Sequence, residues 1–148
     1  MEYFGNKNIL KHYKTGFLSS RKCPAEVVLK SYEWAKRQRT QDNCVICGNH
    51  SQIERDIFEI LLKGDQPLVL VLPRGLKKRW DTLWLENVEK DRLLIISPFP
   101  KEIKRVTRET AIRKNETILS LSDKIVVGYK SSKGQLDRLL TNLKFDHV

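Results

Sequence analysis

The 148-residue sequence has no apolar run close to the ~18 residues that a membrane-spanning helix needs. Residues 1–6 also lack the long apolar segment with which a secretory signal begins. We therefore expect a soluble, cytoplasmic protein without membrane contact. The length is typical of one domain, so we expect a single domain over residues 1–148.

Glycine-rich nucleotide motifs are also missing. Neither the G-x-G-x-x-G fingerprint of dinucleotide sites nor the G-x-x-x-x-G-K-[ST] loop of triphosphate sites occurs, and we expect no cofactor. Of the three histidines, only His50 falls at a predicted strand end, and no nucleophile or acid is recognisable that would complete a general-base site. An enzyme is therefore the less favoured interpretation.

Cysteine is scarce, with three residues at positions 23, 44 and 47. An odd count without a secretory signal favours free thiols in a reducing compartment. Cys44 and Cys47 have C-x-x-C spacing, but no second Cys/His pair completes a four-ligand zinc site, so we expect no metal. The favoured alternative is an apolar strand in which these two side chains point to opposite faces.

Basic residues exceed acidic ones and give a formal net charge of +10. Residues 1–40 carry nine basic and three acidic side chains, and residues 101–148 carry eleven and six, whereas the middle of the chain is nearly neutral. If the fold brings these two parts together, they form a positive face that attracts phosphate. The alternative is that the basic residues only solvate the surface.

Short apolar runs alternate with helical periods along the chain. The runs predict five strands, at residues 15–18, 44–47, 68–72, 93–96 and 125–127. The segments between them predict helices at residues 24–39, 51–64, 81–90 and 108–121, with a last helix that carries leucines 136–143. Ser51 and Glu54 form a capping box at the start of the second helix, and Gly64 is placed for a left-handed cap at its end.

This alternation predicts an α/β fold: a doubly wound, Rossmann-like and mostly parallel sheet of about five strands flanked by helices. Ligands of such sheets bind beyond the carboxyl ends of the strands. Those ends are rich in hydroxyls, glycines and cations, which hold phosphate. The predicted phosphate- or nucleic-acid-binding residues are Ser19, Ser20, Arg21, Gly48, Asn49, His50, Ser51, Arg74, Gly75, Arg113, Asn115, Ser132, Lys133 and Gly134. Four cations among them, Arg21, Arg74, Arg113 and Lys133, are expected to meet around one hollow.

A second group of cations precedes the fourth predicted helix. Lys101, Lys104, Arg105 and Arg108 are spaced so that any helix formed there would place all four on one face, as an electrostatic track for nucleic acid. Asn115 follows among apolar neighbours, where a buried amide needs hydrogen-bond partners. We favour a role for Asn115 in bracing a loop over direct contact with a ligand.

Several segments resemble, in this order, the Rossmann-like domain of DprA, the DNA-processing protein. They are Ser19-Ser20-Arg21, Cys47-Gly48, residues 72–76, residues 94–97, Arg113-Lys114-Asn115, residues 121–123, and Val126-Val127 before Ser132-Lys133-Gly134. Ser19 stands where DprA has glycine, and Ile53-Glu54 stands where DprA has Ile-Asp. The superfamily also includes Lonely guy phosphoribohydrolases and lysine decarboxylase-like proteins, whose Pro-Gly-Gly-x-Gly-Thr loop and nearby glutamate are absent here.

The resemblance implies a phosphate-lined pocket that grips single-stranded DNA and a recombination protein, RecA, as partner. Our first hypothesis is a protein that binds single-stranded nucleic acid or a nucleotide. The second is a hydrolase of nucleoside monophosphates in which Glu54 or His50 activates water, and the third is a nucleotide-sensing regulatory module. A homo-oligomer, formed through an edge strand or the region of Trp80 and Trp84, also stays open, although aromatic residues at that spacing are more often part of a core.

Overall fold

The computed structural model describes residues 1–148. Its centre is one sheet of seven strands, with the spatial order β1-β5-β4-β3-β2-β6-β7. The strands are β1 (Glu2–Phe4), β2 (Lys14–Leu18), β3 (Cys44–Cys47), β4 (Leu68–Val71), β5 (Leu93–Ser97), β6 (Lys124–Val127) and β7 (Asp146–His147). The helices are a 3₁₀ helix at Lys7–Lys11, then α1 (Ala25–Thr40), α2 (Gln52–Leu62), α3 (Thr82–Glu89), α4 (Arg108–Leu121) and α5 (Gln135–Leu139). None of the helices is long and apolar enough to cross a bilayer.

The mostly parallel, Rossmann-like sheet predicted from the sequence is confirmed. All five predicted strands are present as β2 to β6, and they pair in parallel. Two strands were not predicted: β1 pairs antiparallel with β5, and β7 pairs in parallel with β6. These edge strands contain three and two residues, which is too short for an alternating pattern to show in the sequence.

Helices cover both faces of the sheet, which explains why the central strands are apolar at every position. One core contains Val45 and Cys47 and is covered by α1, α2 and α3. The other contains Cys44 and Ile46 and is covered by the 3₁₀ helix, α4 and α5. Cys44 and Cys47 therefore point to opposite faces, as expected, and both are buried free thiols. Burial raises the pKa of Cys44 to about 11.

Both ends of α2 show how local sequence sets the helix. The predicted capping box is present: Ser51 Oγ accepts the Glu54 N–H at 3.4 Å, and Glu54 Oε1 accepts the Ser51 N–H at 3.1 Å. The left-handed cap predicted at Gly64 is wrong, since Gly64 does not have the positive φ that such a cap requires. Gly64 instead provides space, because a Cβ there would lie 2.3 Å from the Cγ of Arg39.

No helix forms over Lys101, Lys104 and Arg105, so these residues and Arg108 do not share a helical face, and their role as an electrostatic track stays a prediction. Thr107 is the N-cap of α4, and its hydroxyl accepts the Thr110 N–H at 3.2 Å, so the helix begins only at Arg108. The loop that precedes α4 is bound to the loop after β4 instead, because the Gly75 N–H donates to the Ile103 carbonyl at 2.7 Å. The last helix is likewise shorter than expected, since α5 ends at Leu139.

The strand order locates a topological switch point. From β2 the chain adds β3, β4 and β5 successively on one side, and it then returns to place β6 on the other side of β2. The loops that leave β2 and β6 consequently diverge to opposite faces of the sheet. Open α/β sheets bind ligands in the crevice that this divergence creates.

Candidate functional site

A cavity of about 560 Å³ opens beyond the carboxyl ends of β2 and β6, at the switch point. Four segments of the chain line it: the loop after β2, the turn into α2, the start of α4, and the loop leading into α5. The lining residues are Ser19, Ser20, Arg21, Lys22, His50, Glu54, Val106, Thr107, Arg108, Ala111, Lys114, Asn115, Ser131, Gly134, Gln135 and Leu136. Only three of the sixteen are hydrophobic, so the cavity suits a polar ligand.

Two serines join the loops on either side of the switch point. Ser19 Oγ accepts the Tyr129 N–H at 3.1 Å, and Ser20 Oγ accepts the Ser131 N–H at 3.0 Å. The hydroxyl proton of Ser19 is directed to the Ser20 carbonyl at 3.3 Å, whereas that of Ser20 has no acceptor in the protein. Ser20 is thus held in place by one bond and free to donate another to a ligand.

A buried ion pair forms part of the cavity wall. Lys114 Nζ lies 2.5 Å from Glu54 Oε2, and the two side chains are only 2% and 6% exposed. The backbone N–H and the hydroxyl of Ser51 donate to the other carboxylate oxygen at 3.1 and 3.0 Å. Burial by itself raises the pKa of Glu54, but the charge and hydrogen bond of Lys114 and the bonds from Ser51 outweigh it and hold this pKa below its ordinary value. Glu54 is therefore ionised.

Gly48 makes room for this pair. A Cβ at position 48 would lie 2.3 Å from Glu54 Oε2 and 2.9 Å from Lys114 Nζ. Any side chain at the end of β3 would displace the carboxylate or the ammonium. The sequence predicted Gly48 as a ligand-binding residue, and the structure places it behind the cavity wall instead.

His50 lines the cavity as a half-buried side chain. Burial lowers its pKa, and the nearby charges of Lys114, Arg21 and Arg55 lower it further against the opposing effect of Glu54. The imidazole is therefore neutral at pH 7. Its ring nitrogens form no hydrogen bond in the protein, so no side chain orients it as a general base.

The structure brings part of the predicted set together. Ser19, Ser20, Arg21, His50, Asn115 and Gly134 line the cavity, and so does Arg108 of the predicted track. Arg21 is the only one of the four expected cations that lines it; Arg74, Arg113 and Lys133 do not, so the expected meeting of all four around one hollow is wrong. The remaining predicted residues, Asn49, Ser51, Gly75 and Ser132, also lie outside its lining.

Helix geometry and a loop contact explain these differences. Arg113 is exposed on α4, while its neighbour Lys114, about 100° further round the helix, is buried and faces Glu54. Arg74 belongs to another loop, where its carbonyl accepts the Ser97 hydroxyl at 2.6 Å and its side chain donates to the Gly75 carbonyl at 3.2 Å. Ligand binding by Arg74, Arg113 and Lys133 stays a prediction.

The polar lining residues that sequence reasoning missed are Lys22, Thr107, Lys114, Ser131 and Gln135. The signal for Lys114 was present, because Lys114 is three residues after Ala111 and four before Ile118, both of which belong to the apolar stripe of α4. A lysine on such a stripe needs a buried partner. Glu54 was considered as a capping residue and as a base that activates water, but not as the partner of a buried lysine.

Further cations surround the cavity. A second basin of about 620 Å³ shares Arg21, Lys22 and His50 with it and is lined otherwise by polar residues of α2 and its N-cap, including Arg55. Lys101, Lys104 and Arg105 are exposed in the loop that leads to Val106 in the cavity wall. The cations of the loop thus precede the cavity wall along the chain, and they share no helix.

Solved structures of DNA processing protein A have the same architecture. Superposition on the protein from Helicobacter pylori gives a TM-score of 0.73 at 15% identity and covers 93% of this chain and 65% of that one. The chain has the DprA-like, Rossmann-like fold. The DprA of Streptococcus pneumoniae gives a TM-score of 0.71 at 17% identity, with 94% of this chain and 50% of that chain covered. The DprA-like chain thus spans about half to two thirds of the length of these proteins.

The DprA-like fold is shared more distantly. The Moco carrier protein of Chlamydomonas reinhardtii gives a TM-score of 0.50 at 9% identity, covering 93% of this chain and 89% of that one. No protein-family model matches the sequence, and no curated protein matches it significantly. At these levels of identity, the likeness establishes the fold.

Proposed function

We propose that this protein binds single-stranded nucleic acid, or the phosphate of a nucleotide, in the cavity at the switch point. The observation that carries this proposal is a set of cations without protein partners. Arg21, Lys22 and Arg108 line the cavity, and none of their side chains forms a hydrogen bond or an ion pair within the protein. Cations gathered around a hollow repel one another, and an anionic ligand relieves that repulsion.

Local geometry adds donors to these charges. The N-terminus of α4, a 14-residue helix, reaches the cavity through Thr107 and Arg108, and the end of a helix carries partial positive charge. Ser20 supplies a hydroxyl proton that no protein group accepts. Guanidinium, hydroxyl and helix terminus together form a combination that binds phosphate oxygens.

The surroundings of the cavity favour a ligand with several phosphates. The basin around Arg55 shares residues with the cavity, and Lys101, Lys104 and Arg105 are exposed in the loop that precedes Val106 of its wall, so cations continue beyond the cavity itself. The H. pylori protein of the same fold is described by its single-stranded DNA binding mode, which supports the proposal. A recombination protein as partner and self-association of the chain stay predictions.

The hydrolase hypothesis is less well supported by the geometry. Both oxygens of Glu54 accept hydrogen bonds, and the lowered pKa of this carboxylate makes it a weak base. His50 has no neighbour that orients it. A sensor of mononucleotides differs from the favoured proposal in one measurable respect, since it would prefer a mononucleotide to an oligomer.

The direct test is fluorescence anisotropy of a labelled single-stranded oligonucleotide at two ionic strengths. We expect binding that weakens with salt, with a slope of about −0.7 per phosphate contact in a plot of log K against log salt. Arg21→Ala and Arg108→Ala should each weaken binding and reduce the slope. Lys63→Ala is the matched control, because Lys63 is an exposed cation at the far end of α2. Absence of binding at low salt, or binding independent of salt, would refute the proposal.

A further inference from the structure

We propose that a second pocket, at the amino edge of the sheet, binds an uncharged sugar. The pocket lies where β2 and β6 begin and where α1 ends, at the opposite edge of the sheet from the cavity described above. Its volume of about 290 Å³ is close to the lower end of the range usual for small-ligand sites. Five of its eight lining residues are polar. This inference does not depend on nucleic-acid binding.

Three of the lining side chains are almost fully buried, yet each carries a polar group that no protein atom pairs. Thr15, Trp34 and Gln38 are 7%, 6% and 9% exposed. The hydroxyl of Thr15, the indole N–H of Trp34 and the amide nitrogen of Gln38 form no hydrogen bond in the protein. These groups are not sealed inside the protein, and the opening that all three residues share is this pocket. Buried polar groups are nearly always paired, so three unpaired ones around one hollow indicate a ligand.

Asn43 fixes two amides of the lining. Its side-chain nitrogen donates to Gln38 Oε1 at 2.9 Å and to Gln41 Oε1 at 3.3 Å. Both carbonyl oxygens are thus occupied, and the NH₂ groups of Gln38 and Gln41 stay free to donate. Asn43 has the bracing role that the sequence predicted for Asn115. That prediction is wrong, because the side chain of Asn115 forms no hydrogen bond in the protein.

The charge around the pocket favours an uncharged ligand. The buried donors all belong to neutral side chains. The charged residue of the lining, Lys124, is exposed, and its ammonium lies 3.4 Å from Asp146 Oδ2. The end of α1 at the pocket adds a partial negative charge. A carboxylate or a phosphate would therefore lose its hydration without meeting a buried cation, which is costly.

The excess of donors favours a sugar over other uncharged ligands. A sugar hydroxyl can rotate its proton away and accept a hydrogen bond from an amide, an indole or another hydroxyl. A peptide or a base instead brings fixed N–H donors, for which the buried side chains of this pocket offer few acceptors.

Aromatic and apolar surface is available for the C–H face of a sugar ring. Tyr13, directly before β2, is 67% exposed and lines the pocket, and Val126 adds apolar contact. A neighbouring hollow of about 180 Å³ shares Tyr13 and Lys124 with the pocket. A ligand of two sugar units therefore has room to continue along the same edge of the sheet.

The test follows the indole N–H signal of Trp34 by NMR in the full chain. The protein has three tryptophans, and the loss of one signal in Trp34→Phe identifies the relevant one. Glucose, galactose and maltose are each added up to about 50 mM, because a molecule of this size in an open pocket binds at about millimolar concentration. We expect a saturable shift with a cyclic sugar. Sorbitol, an open-chain polyol, is the reference for unspecific effects and should give no saturable shift.

Charged derivatives test the chemical class of the ligand. The uronic acid and the amino sugar derived from each ring add a carboxylate or an ammonium to the same ring. Neither derivative should bind more tightly than the neutral sugar, since the buried donors are uncharged. Tighter binding of the uronic acid would make the pocket an anion site and overturn the assignment.

Two variants locate the contact. Thr15→Val replaces an unpaired hydroxyl by a methyl group, so the free protein should be as stable as before or more so, while sugar affinity should fall about three- to tenfold. Tyr13→Ala removes an exposed ring outside the core and should also weaken binding. Thr82→Val, at an exposed hydroxyl of α3, is the matched control and should change neither stability nor affinity.

The remaining outcomes decide the proposal. If no sugar gives a saturable shift, or if sorbitol reproduces the shift, the pocket holds water only and the proposal is overturned. It is also overturned if sugar affinity is unchanged in Thr15→Val and Tyr13→Ala, or if Thr15→Val loses stability, since the hydroxyl would then have a structural role. Oligonucleotide binding is tested separately, because its proposed cavity lies at the other edge of the sheet.

Discussion

The ammonium of Lys114 and the carboxylate of Glu54 meet 2.5 Å apart across the edge of the sheet. Lys114 belongs to α4 and Glu54 to α2, and these helices cover opposite faces of the sheet. The pair passes over Gly48 at the end of β3, where the absence of a side chain leaves space. One ion pair therefore connects the two helical layers next to the candidate site.

Removing one partner of this ion pair should strongly lower the free energy of unfolding. Lys114→Met leaves a buried carboxylate without a counter-charge, which costs ~3–5 kcal/mol of unfolding free energy. The double variant Glu54→Gln/Lys114→Met should be more stable than Lys114→Met, because no buried charge remains uncompensated. Urea denaturation measures all three proteins. Equal stability of wild type and Lys114→Met would contradict the buried pair.

The same pair predicts a pH dependence. The pKa of Glu54 is lower in the folded protein than its ordinary value of 4.5, so the folded state gains stability above that value and loses it as pH falls through the folded pKa. We expect the free energy of unfolding to decrease more steeply on acidification below about pH 4.5 in the wild type than in Glu54→Gln. Urea denaturation at a series of pH values checks the difference, and parallel curves would count against it.

Gly48→Ala should destabilise the protein by ~1–3 kcal/mol, because its Cβ would overlap Glu54 Oε2 and force the pair apart. Gly134→Ala is a suitable control, since its Cβ would have no neighbour closer than 3.2 Å and the backbone is extended there. Thermal denaturation compares the two variants. A similar loss of stability in both variants would show that the absence of a side chain at Gly48 does not make room for the ion pair.

Ser19→Ala should loosen the loop after β6. The variant leaves the Tyr129 N–H without its acceptor, at a cost of ~1 kcal/mol. Hydrogen exchange at the Tyr129 amide should become faster, while exchange in β4 stays slow. Ser120→Ala, at an exposed serine of α4, is the control for loss of a hydroxyl. Unchanged exchange at Tyr129 would mean that the loop is held by other contacts.

Binding of a phosphodiester ligand should tighten on acidification through the titration of His50. Its pKa lies below 6.5 because of burial and of the cations Lys114, Arg21 and Arg55, so protonation adds a positive charge to the cavity only below that pH. Oligonucleotide affinity measured at pH 7 and pH 5.5 should rise in the wild type and stay flat in His50→Gln. His12→Gln, at a histidine outside the cavity, should behave as the wild type. If the affinity of His50→Gln also rises at pH 5.5, the pH dependence of binding belongs to another titratable group.

The central sheet could be predicted because its strands are buried on both faces. The runs 68–72 and 93–96 are apolar throughout, and such runs in alternation with helices specify a parallel sheet and the edge where ligands bind. Ser19, Ser20 and Arg21 were therefore predicted in the right place. These three residues directly follow β2 in the chain, and this alone places them at the carboxyl edge of the sheet.

The remaining part of the site depends on side-chain direction, which the sequence specifies less well. Arg113 and Lys114 are adjacent cations, and only the packing of α4 decides that one is exposed and the other meets Glu54. Arg74 follows a predicted strand, but its loop is tied to Ser97 and turns away from the cavity. Three-dimensional contacts between distant segments settled both cases.

The seventh strand has a consequence for handling the protein. Asp146 and His147 pair with Val126 and Val127, and the Val148 N–H donates to the Val127 carbonyl at 3.1 Å, so three residues shield the open side of β6. Removing them would expose unpaired peptide groups beside a hydrophobic strand. Such an edge recruits strands from other molecules, and a truncated chain would be expected to aggregate.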